Sequence, residues 1–518
     1  MNVLGDDVND SLKRQLAQLT VAQRAALLAR LQQPAAASGS AQIPLAQPLR
    51  TEHVHGVGVV DVFLASGDQE RMNFMHSYTP DLPLYNTPWL FRLAGPLDAS
   101  LLNTACCMLA QRHSAMRTSF VVEHGVLMQR VARVGDFRLE LPLQALDAAC
   151  AEQWIRDEAC RMFDLSRAPL VRAALASISD IDHLLLLNLH HIVSDGWSAA
   201  VLTRELSAIY TALTAGEQAA LAPVQRQTSD YTTWQTERST GATVADATAF
   251  WRHELADAGE PLDLPADLAR PATKSYRGGH VCMAIDAELV QTLRTLARTL
   301  DATMFMVLLA AFQVLLYRYT GVDDVLVGVP VANRTHSECE GTVGLFANTL
   351  VMRQHVTPGA TFAEMLQRVK HTSLRALEHA EMPFDLLVRA MHLERDTSRT
   401  ALFQAAFALQ DHAEIKLDLA GSTAVGTAVD TATAKFDVHL TLRPNTDDLQ
   451  ATLEYSTDLF TGDRAHRMLR HWQQVLRSIV ADPHASIDLL NMVPPEERSQ
   501  MVDDWNRTAR AYPRDSCI

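Results

Sequence analysis

The sequence predicts a mixed α/β (α+β) protein built from two lobes of similar size. Its 518 residues, 48% of them hydrophobic, supply apolar side chains for more than one core. Segments with strand patterns and segments with helix patterns alternate in both halves of the chain. The run from His183 to His190 is almost continuously apolar between polar turns, which is typical of a strand buried on both faces. We expect the residues after this strand to emerge at a sheet edge, where sites are commonly built.

Residues 1–50 are expected to form a helical leader followed by a linker. Residues 10–33 place leucines at helical spacing, and the stretch PAAASGSAQIP then ends the pattern. Two interpretations stay open, a solvated leader or a docking segment for another subunit, because amphipathicity alone names no partner. The start MNVLGDDVND lacks the basic and apolar regions of a secretory signal, so we expect a cytoplasmic protein.

The first lobe is predicted over residues 51–225. We expect extended segments from Trp89 to Leu93 and from Leu127 to Val131, with a helix from Ala99 to Arg112 between them. The buried strand described above completes the alternation of strands and helices in this lobe.

The second lobe is predicted over residues 226–487. An amphipathic helix is expected from Ala287 to Leu300, then a buried helix capped by Thr303, then a strand from Asp324 to Val329. After residue 487 the chain turns polar, so residues 488–518 are expected to form a linker without a packed element.

Composition argues against nucleic acid, metal and membrane as partners. The formal net charge is −15 and the pI is near 5.7, which leaves no basic field for a phosphate backbone. The seven cysteines show no metal-ligand spacing, and we interpret them as reduced thiols. The longest apolar stretch, from Thr303 to Tyr319, is interrupted by Gln313 and Arg318 and is too short to span a bilayer. It is better explained as a buried helix.

The segment HHIVSDGWS, residues 190–198, directly follows the buried strand. Imidazole can hold or release a proton near neutral pH, and a histidine at a strand end can point into a cleft. Asp195 follows four residues after His191, and Gly196 allows a sharp backbone turn into the next helix. Two adjacent histidines alone are more often a satisfied core pair than a base, but the full HHxxxDG pattern after a buried strand is more specific.

The two serines of this segment, Ser194 and Ser198, lack the local setting of a nucleophile. The chain has no GxSxG elbow, no P-loop and no dinucleotide-binding glycine fingerprint. Acyl transfer without a covalent enzyme intermediate is therefore the natural chemistry for this motif.

HHIVSDGWS resembles the core motif of the condensation domains of nonribosomal peptide synthetases. Other segments resemble that family's motifs in the same order: SGDQERMNF (66–74), RHSAMRTSF (112–120), FDLSRAPLVR (163–172), DYTTWQ (230–235), GVPVANR (328–334), GLFANTL (344–350), HAEMPF (379–384) and RDTSRTALFQ (395–404). The tail, with WNRT and YP, is similar to the linker that leads to an adenylation domain.

The resemblance implies two chloramphenicol-acetyltransferase-like lobes arranged as a V, with the active site at the lobe junction and a tunnel between two carrier proteins. An upstream carrier would present an acyl or peptidyl donor, and a downstream carrier an aminoacyl acceptor, each as a thioester on a phosphopantetheine arm. No cofactor bound by the domain itself is implied, and an adjacent adenylation domain is a further expected partner.

The resemblance also assigns roles to the motif residues. His191 is the catalytic candidate, either as general base toward the acceptor amine or as a group that orients the amine and stabilises the tetrahedral species. His190 is expected to pack behind the loop. Asp195 is expected to be an ion-pair partner of an arginine, with Arg334 as first choice and Arg117 as second.

The remaining candidates concern the tunnel. Gly196 is expected to serve through its backbone, whereas Trp197 and Ser198 either line the tunnel or begin the helix. Thr400-Ala401 stands where the family commonly has Asn-Pro, so a threonine hydroxyl replaces the longer amide there. Arg71-Met72-Asn73 departs from the family's Arg-Leu-Trp in the opening motif.

Three other functions remain as alternatives. An epimerisation domain shares the HHxxxDG core but deprotonates carbon, a catalytically silent relative recruits a partner protein, and a free-standing acyltransferase uses a soluble thioester such as coenzyme A. Within the condensing type, PLYN at 83–86 and the HAEMPF segment favour a domain that takes an L-configured donor.

Overall fold

The structure is a computed structural model that describes residues 42–137, 139–238, 242–259, 261–392, 396–410, 415–419, 421–444 and 448–509. The predicted helix at residues 10–33 lies outside the described residues. Residues 42–44 belong to an N-terminal unit and form no helix or strand, and the chain from Leu45 onward forms a second, compact unit.

The strands of the described residues are, in chain order, β1 (Arg50–Val54), β2 (Gly58–Leu64), β3 (Asn86–Ala94), β4 (Thr118–Glu123), β5 (Val126–Ala132), β6 (Leu143–Ala145), β7 (Val171–Ser179), β8 (Asp182–His190), β9 (Gly278–Ile285), β10 (Asp324–Val331), β11 (Asn348–His355), β12 (Ala405–Leu409), β13 (Lys416–Leu419), β14 (Ser422–Val425), β15 (Thr427–Ala428), β16 (Val438–Pro444) and β17 (Leu449–Ser456).

The α-helices of the same residues are α1 (Gly67–Tyr78), α2 (Ala99–Arg112), α3 (Ala151–Cys160), α4 (Gly196–Thr214), α5 (Thr228–Arg238), α6 (Ala242–Glu254), α7 (Ala287–Thr299), α8 (Met304–Thr320), α9 (Phe362–Glu378), α10 (Phe384–Ala390), α11 (Gly462–Ala481) and α12 (Pro495–Ser499). The predicted alternation of strands and helices is confirmed, and the predicted helix from Ala99 to Arg112 has the bounds of α2.

The first lobe is built on two sheets, one with the antiparallel order β1-β2-β5-β4 and one with the order β15-β3-β8-β7-β6. Strand β8 lies in the middle of the second sheet and is buried on both faces, as predicted. Leu185 and Leu187 enter the main core of the lobe, whereas Leu184 and Leu186 enter a smaller core on the opposite face. Because both faces are covered by apolar side chains, the end of β8 is held in a fixed position.

The second lobe is built on a six-stranded sheet with the order β11-β10-β12-β16-β17-β9. Helix α8 packs against this sheet and buries every residue from Met306 to Leu316. The Thr303 hydroxyl accepts the backbone N–H of Met306, and Gly321 ends the helix with φ 72°. That left-handed conformation costs glycine little and an L side chain more.

The other face of the six-stranded sheet turns toward the first lobe. Along β16, Leu440 and Leu442 point into the lobe core, so His439 and Arg443 point the opposite way. The guanidinium of Arg443 lies 5.5 Å from the ring centroid of Trp89 in β3. This face therefore forms a polar wall of the interlobe cleft.

Among the described residues, no single helix is both long and apolar enough to cross a membrane. In the same described part of the chain, α7 and α8 meet that criterion when taken together, and they are bent by 103° relative to each other.

The structure departs from the predicted lobe boundary. Strand β15 belongs to the second half of the chain but pairs with β3 of the first lobe, with Thr427 opposite Leu90. The hairpin of β13 and β14 packs on α4, where Leu417 and Leu419 join the first-lobe core. A strand pattern in the sequence does not predict which sheet the strand joins. Here the burial of Leu417 and Leu419 in the first-lobe core holds the hairpin on that lobe.

The structure also departs from the expectation that residues 488–518 form an unpacked linker. Asp488 accepts the hydroxyl of Tyr317 at 2.8 Å and the backbone N–H of Gly359 at 2.6 Å. Leu490 is buried in the core of the second lobe, and Glu497 of α12 lies 3.1 Å from His471 of α11. The polar residues of this segment bind polar groups of the lobe, so the segment packs as far as α12.

Candidate functional site

The candidate site lies at the carboxyl end of β8, where the HHIVSDGWS segment links the strand to α4. The segment makes one 3₁₀ turn from His191 to Val193 before the helix begins. Ile192 and Val193 are fully buried, and the Ser194 hydroxyl donates to the carbonyl oxygen of His190 at 3.1 Å. Two apolar anchors and one hydrogen bond therefore fix the conformation of a short loop.

One ring nitrogen of His191 is hydrogen-bonded, and the other has no partner among the described residues. Its Nδ1 lies 2.7 Å from the carbonyl oxygen of Ser194, and since a carbonyl can only accept, Nδ1 carries the proton. Its backbone N–H donates to the carbonyl oxygen of Tyr85 at 2.8 Å. Desolvation and the charge of Lys435 lower the pKa of His191 to about 4. At neutral pH the ring is therefore uncharged, and Nε2 offers a lone pair to a substrate.

His190 lies behind the loop. Its Nδ1 accepts the backbone N–H of Ile192 at 3.2 Å, and its side chain is almost entirely inaccessible to solvent. The ring makes edge contacts with His76 at 5.3 Å and with Phe163 at 5.8 Å between centroids. Burial lowers the pKa of His190 well below its usual value. An uncharged ring in this position packs the loop from behind.

Asp195 is the N-cap of α4, and its carboxylate accepts five hydrogen bonds. Oδ1 accepts the backbone N–H and the hydroxyl of Ser198, at 2.8 and 2.7 Å. Arg334 donates to both carboxylate oxygens at 3.0 and 3.2 Å, and the backbone N–H of Phe346 donates to Oδ2 at 3.1 Å. Because the first lobe supplies the carboxylate and the second lobe supplies Arg334 and Phe346, this aspartate connects the lobes.

Both terminal nitrogens of the Arg334 guanidinium are hydrogen-bonded. Beyond the bonds to Asp195, its Nη1 donates to the carbonyl oxygens of Cys339 and Thr342 at 2.6 and 2.7 Å. Its guanidinium carbon lies 4.0 Å from the ring centroid of Phe346. The side chains of Arg334 and Asp195 are only 2% and 3% exposed. The pair is thus a buried ion pair with most of its hydrogen-bonding groups satisfied.

Arg117, the second arginine considered for Asp195, lies elsewhere. Its Nε donates to the carbonyl oxygen of Ala110 at 2.8 Å, and its Nη1 donates to the carbonyl oxygen of Ala132. It connects α2 to β5 within the first lobe. The structure therefore corrects that assignment, because these carbonyls already occupy the guanidinium.

Gly196 and Trp197 begin α4. The change of direction before the helix falls at Asp195, whose backbone is extended (φ −135°, ψ −178°), and Gly196 is the exposed first helical residue. The indole N–H of Trp197 donates to the carbonyl oxygen of Glu340 at 2.8 Å, and the ring packs against the first-lobe core. Of the two interpretations given for Trp197, this position corresponds to the beginning of the helix and adds a contact to the second lobe.

Ser198 does not line a tunnel, because its side chain is fully buried. Its hydroxyl donates to Asp195 and accepts the backbone N–H of Gly344 at 3.0 Å. A Cβ added at Gly344 would lie 2.2 Å from the hydroxyl oxygen of Thr228, so this backbone approaches its neighbours closely. Ser198 belongs with the Asp195 contacts between the lobes.

Thr400 lies beside the cleft rather than in the Asp195 cluster. Its hydroxyl donates to the carbonyl oxygen of Lys435 at 3.3 Å. Its own carbonyl oxygen accepts the side-chain amide of Gln404 at 3.0 Å. In this chain the threonine hydroxyl supports the backbone of Lys435, and residue 395 of the same motif lies outside the described residues.

Motif reasoning missed two residues of the site, Tyr85 and Lys435. Tyr85 enters the motif comparison only as part of PLYN, yet its carbonyl oxygen holds the backbone of His191 and its ring centroid lies 6.5 Å from that of His191. Lys435 precedes β16, and its ammonium lies 4.8 Å from the ring centroid of Tyr85. A lone lysine 244 positions after His191 gives no sequence signal, because only the fold brings the two together.

No group of three or more histidine, cysteine, aspartate or glutamate side chains in the described part of the chain is arranged to hold a metal ion.

Comparison with known proteins gives the same family by sequence. The family model described as condensation domain matches residues 60–502. A linear gramicidin synthase of Brevibacillus parabrevis is 38% identical over 452 residues, which is 86% of this chain but 6% of that protein. The chain thus spans a small fraction of the length of this curated relative.

Solved structures give the same fold. The X-domain from teicoplanin biosynthesis superimposes with a TM-score of 0.76 at 26% identity, over 83% of this chain and 97% of that one. The same X-domain has also been solved in complex with OxyB. The first condensation domain of the calcium-dependent antibiotic synthetase, in complex with a substrate analogue, superimposes with a TM-score of 0.73 at 20% identity, over 84% of this chain and 99% of that one. These matches confirm the predicted two-lobed, chloramphenicol-acetyltransferase-like fold.

Proposed function

Because this chain belongs to the condensation domains, the amide-forming acyltransferases of nonribosomal peptide synthetases, we propose that it joins a donor and an acceptor that are both tethered to carrier proteins. The upstream carrier presents an acyl or peptidyl thioester, and the downstream carrier presents an aminoacyl thioester. The phosphopantetheine arms belong to the carriers, so the domain contributes only side chains and backbone groups to the reaction.

One observation carries this proposal: the ring of His191, in the HHxxxDG loop, is held through Nδ1, and its Nε2 has no hydrogen-bond partner among the described residues. The tautomer is fixed by the Ser194 carbonyl, so Nε2 is an acceptor without any rearrangement. The acceptor amine attacks the thioester carbonyl, and the attacking nitrogen must lose a proton for the amide to form. Nε2 takes that proton or holds the N–H in the direction of attack.

The arrangement also explains why no nucleophile is required of the enzyme. Ser194 donates to a backbone carbonyl, and Ser198 is buried among the Asp195 contacts. Neither hydroxyl lies on a strained, exposed turn beside a base. The amine of the second substrate is the nucleophile, and the enzyme supplies position and a proton acceptor.

A catalytically silent, partner-recruiting function is the second candidate, since the X-domain that superimposes on this chain has been solved in complex with OxyB. The residues of the HHxxxDG motif argue against a catalytically silent function for this chain. His191 and Asp195 are both present, and Asp195 makes its full set of bonds with Arg334. A recruiting domain has no need of a free imidazole nitrogen at the cleft.

An epimerisation domain and a coenzyme A-dependent acyltransferase remain as alternatives of a different chemical class. The RHSAMRTSF and HAEMPF segments support the condensing type over the epimerising one. PLYN, whose Tyr85 supports the backbone of His191, is the basis for proposing an L-configured donor. The WNRT segment supports a neighbouring adenylation domain over a free-standing enzyme.

The test is a reaction between two carrier proteins, followed by intact-protein mass spectrometry. Donor and acceptor are loaded on separate carriers, and the wild-type domain is compared with His191→Ala. We expect the acceptor carrier to gain the donor's mass only with the wild type. Transfer that persists in His191→Ala would remove the imidazole from the mechanism. Transfer from a coenzyme A thioester, or loss of the α-hydrogen without coupling, would point to one of the alternatives.

A further inference from the structure

The side chain of Lys435 extends from the second lobe toward Tyr85, the residue whose backbone carbonyl holds His191. It precedes β16, on the side of the six-stranded sheet that faces the first lobe, and its ammonium lies over the ring of Tyr85. The Tyr85 carbonyl oxygen holds the backbone N–H of His191. A cation of one lobe therefore lies across the cleft from the candidate catalytic loop of the other.

The backbone of Lys435 is held by three side chains. Its N–H donates to Glu454 at 3.2 Å, and its carbonyl oxygen accepts the ammonium of Lys274 at 2.8 Å and the hydroxyl of Thr400 at 3.3 Å. Glu454 lies on β17, so the sheet itself fixes the point from which the Lys435 side chain extends. A residue held this firmly at its backbone presents its side chain in a limited region of space.

The ammonium of Lys435, in contrast, has no hydrogen-bond partner and no ion pair within the described ranges, although the residue is only partly exposed. Burial lowers its pKa to about 8, so most of it is protonated at neutral pH. Its neighbour Lys274 is different, since that ammonium donates to a carbonyl and lies 3.9 Å from Asp437. Lys435 thus brings to the cleft a positive charge whose main counter-charge, Glu454, lies beyond ion-pair distance.

The charge acts on the catalytic loop. It is the leading electrostatic cause of the lowered pKa of His191, ahead of the opposite effect of Asp195, and it also lowers the pKa of His439 on the cleft wall. The contacts place Lys435 on the same side of the loop, since the Tyr85 ring lies 4.8 Å from its ammonium and 6.5 Å from the His191 ring, between centroids. A cation there meets whatever negative charge forms during the reaction.

The reaction forms such a charge. When the acceptor nitrogen donates its lone pair to the thioester carbon, the carbonyl π electrons move to oxygen and leave an alkoxide. The proton on nitrogen passes to Nε2 of His191. The alkoxide then re-forms the carbonyl, the C–S bond breaks, and the leaving thiolate takes up the proton. We propose that the Lys435 ammonium stabilises this alkoxide. His191 then acts on the attacking nitrogen, and Lys435 acts on the carbonyl oxygen.

This inference rests on the proposed condensing function and adds a second catalytic residue to it. Pre-organised cations and dipoles directed at a developing oxyanion are commonly the largest contribution to acyl-transfer catalysis, and loss of one costs about 10²–10³-fold in rate. The same charge favours the uncharged ring of His191, so that Nε2 is free to accept a hydrogen bond from the acceptor amine.

The experiment compares Lys435→Met and Lys435→Arg with the wild type in single-turnover transfer between loaded carriers, at saturating carrier concentration. A leucyl donor and an aspartyl donor are used, each with a glycyl acceptor. We expect Lys435→Met to transfer both donors about 100-fold more slowly, and Lys435→Arg to recover most of that loss. Arg443→Met is the matched control, because Arg443 is also a cation of this wall that stacks on a first-lobe aromatic ring. It should transfer at the wild-type rate.

A second readout separates a charge effect from a structural one. The pKa of His191, followed by NMR of the ring and assigned with His191→Ala, should rise in Lys435→Met because a nearby positive charge is gone. It should stay unchanged in Arg443→Met.

Three results would overturn the inference. Transfer by Lys435→Met within threefold of the wild type, with His191→Ala inactive, refutes the role of Lys435 and leaves the condensing function in place. A loss confined to the aspartyl donor makes Lys435 a residue that binds substrate side chains. Absence of transfer by the wild type with every donor removes the proposed function, and the inference with it.

Discussion

The contact between Asp195 and Arg334 can be tested by a substitution that removes only the charge. Asparagine is as good an N-cap as aspartate, so Asp195→Asn keeps an acceptor for the backbone N–H of Ser198 at the start of α4. It leaves the guanidinium of Arg334, which is 2% exposed, without its counter-charge. It also places an amide donor among the N–H groups of Arg334 and Phe346 that now donate to Oδ2.

The expected cost follows from burial. Removing one member of a buried ion pair costs about 3–5 kcal/mol, because the other charge is left desolvated. We therefore expect the unfolding midpoint of Asp195→Asn in urea, measured by circular dichroism, to fall by an amount equivalent to that free energy. Asp182→Asn is the control, since Asp182 pairs at 2.7 Å with an Arg92 side chain that is 70% exposed. That change should cost less than about 1 kcal/mol.

A double substitution identifies the cause. If the loss comes from the stranded guanidinium, Asp195→Asn combined with Arg334→Met should be less destabilised than the sum of the two single variants. Additive losses, or a loss below about 1 kcal/mol in Asp195→Asn, would refute the reasoning. Loss of transfer in the single variant would then reflect chemistry at Asp195 rather than a weakened contact between the lobes.

Three further predictions concern pH and packing. Desolvation and Lys435 lower the pKa of His191 to about 4. Its active neutral form should therefore persist on acidification and disappear only as the pH falls through that value, which NMR titration of the ring would show. A ring that titrates near pH 6.5 would contradict this prediction. Burial and the nearby Asp68 raise the pKa of Asp385 from 3.8 to about 6, so the penalty for the charged carboxylate accumulates between those two pH values and is complete above the upper one. Asp385→Asn should therefore stabilise the protein in urea unfolding by about 3 kcal/mol at pH 8 and have little effect at pH 4. Equal effects at both pH values would exclude this origin. A Cβ at Gly278 would lie 2.6 Å from the backbone of Thr433, which cannot rotate away, so Gly278→Ala should destabilise the protein by about 1–3 kcal/mol. Gly135→Ala, where nothing lies within 4 Å, should not, and equal stability of the two variants would contradict the packing.

The sequence predicts well those features that depend on local pattern. The apolar run of β8, the cap at Thr303 and the bounds of α2 all follow from side chains within a few residues of one another. The position of His191 at the end of a buried strand follows in the same way. Periodicity and capping residues are local signals. The fold keeps them because the periodic apolar side chains are buried in a core and the capping side chains accept backbone N–H groups.

The rest of the site depends on contacts that the chain makes over long distances. Arg334 could be chosen from its motif, but Ser198, a candidate for the tunnel wall, is instead buried against the loop at Gly344. Lys435 has no motif that relates it to His191. Its place is set by the order of strands in the second sheet and by the side chains that hold its backbone, and neither can be read from spacing.

Strands β13, β14 and β15 belong to the second half of the chain but pack on the first lobe, and this limits how the domain can be divided. A fragment that ends near residue 225 would leave the edge of β3 unpaired at Leu90 and would uncover the face of α4 on which Leu417 and Leu419 pack. Hybrid enzymes that exchange one lobe between synthetases must therefore preserve two interlobe contacts. These are the hydrogen bonds of Asp195 and the packing of β13, β14 and β15 on the first lobe. A first lobe taken from one synthetase would fold well only with a second lobe whose hairpin fits it.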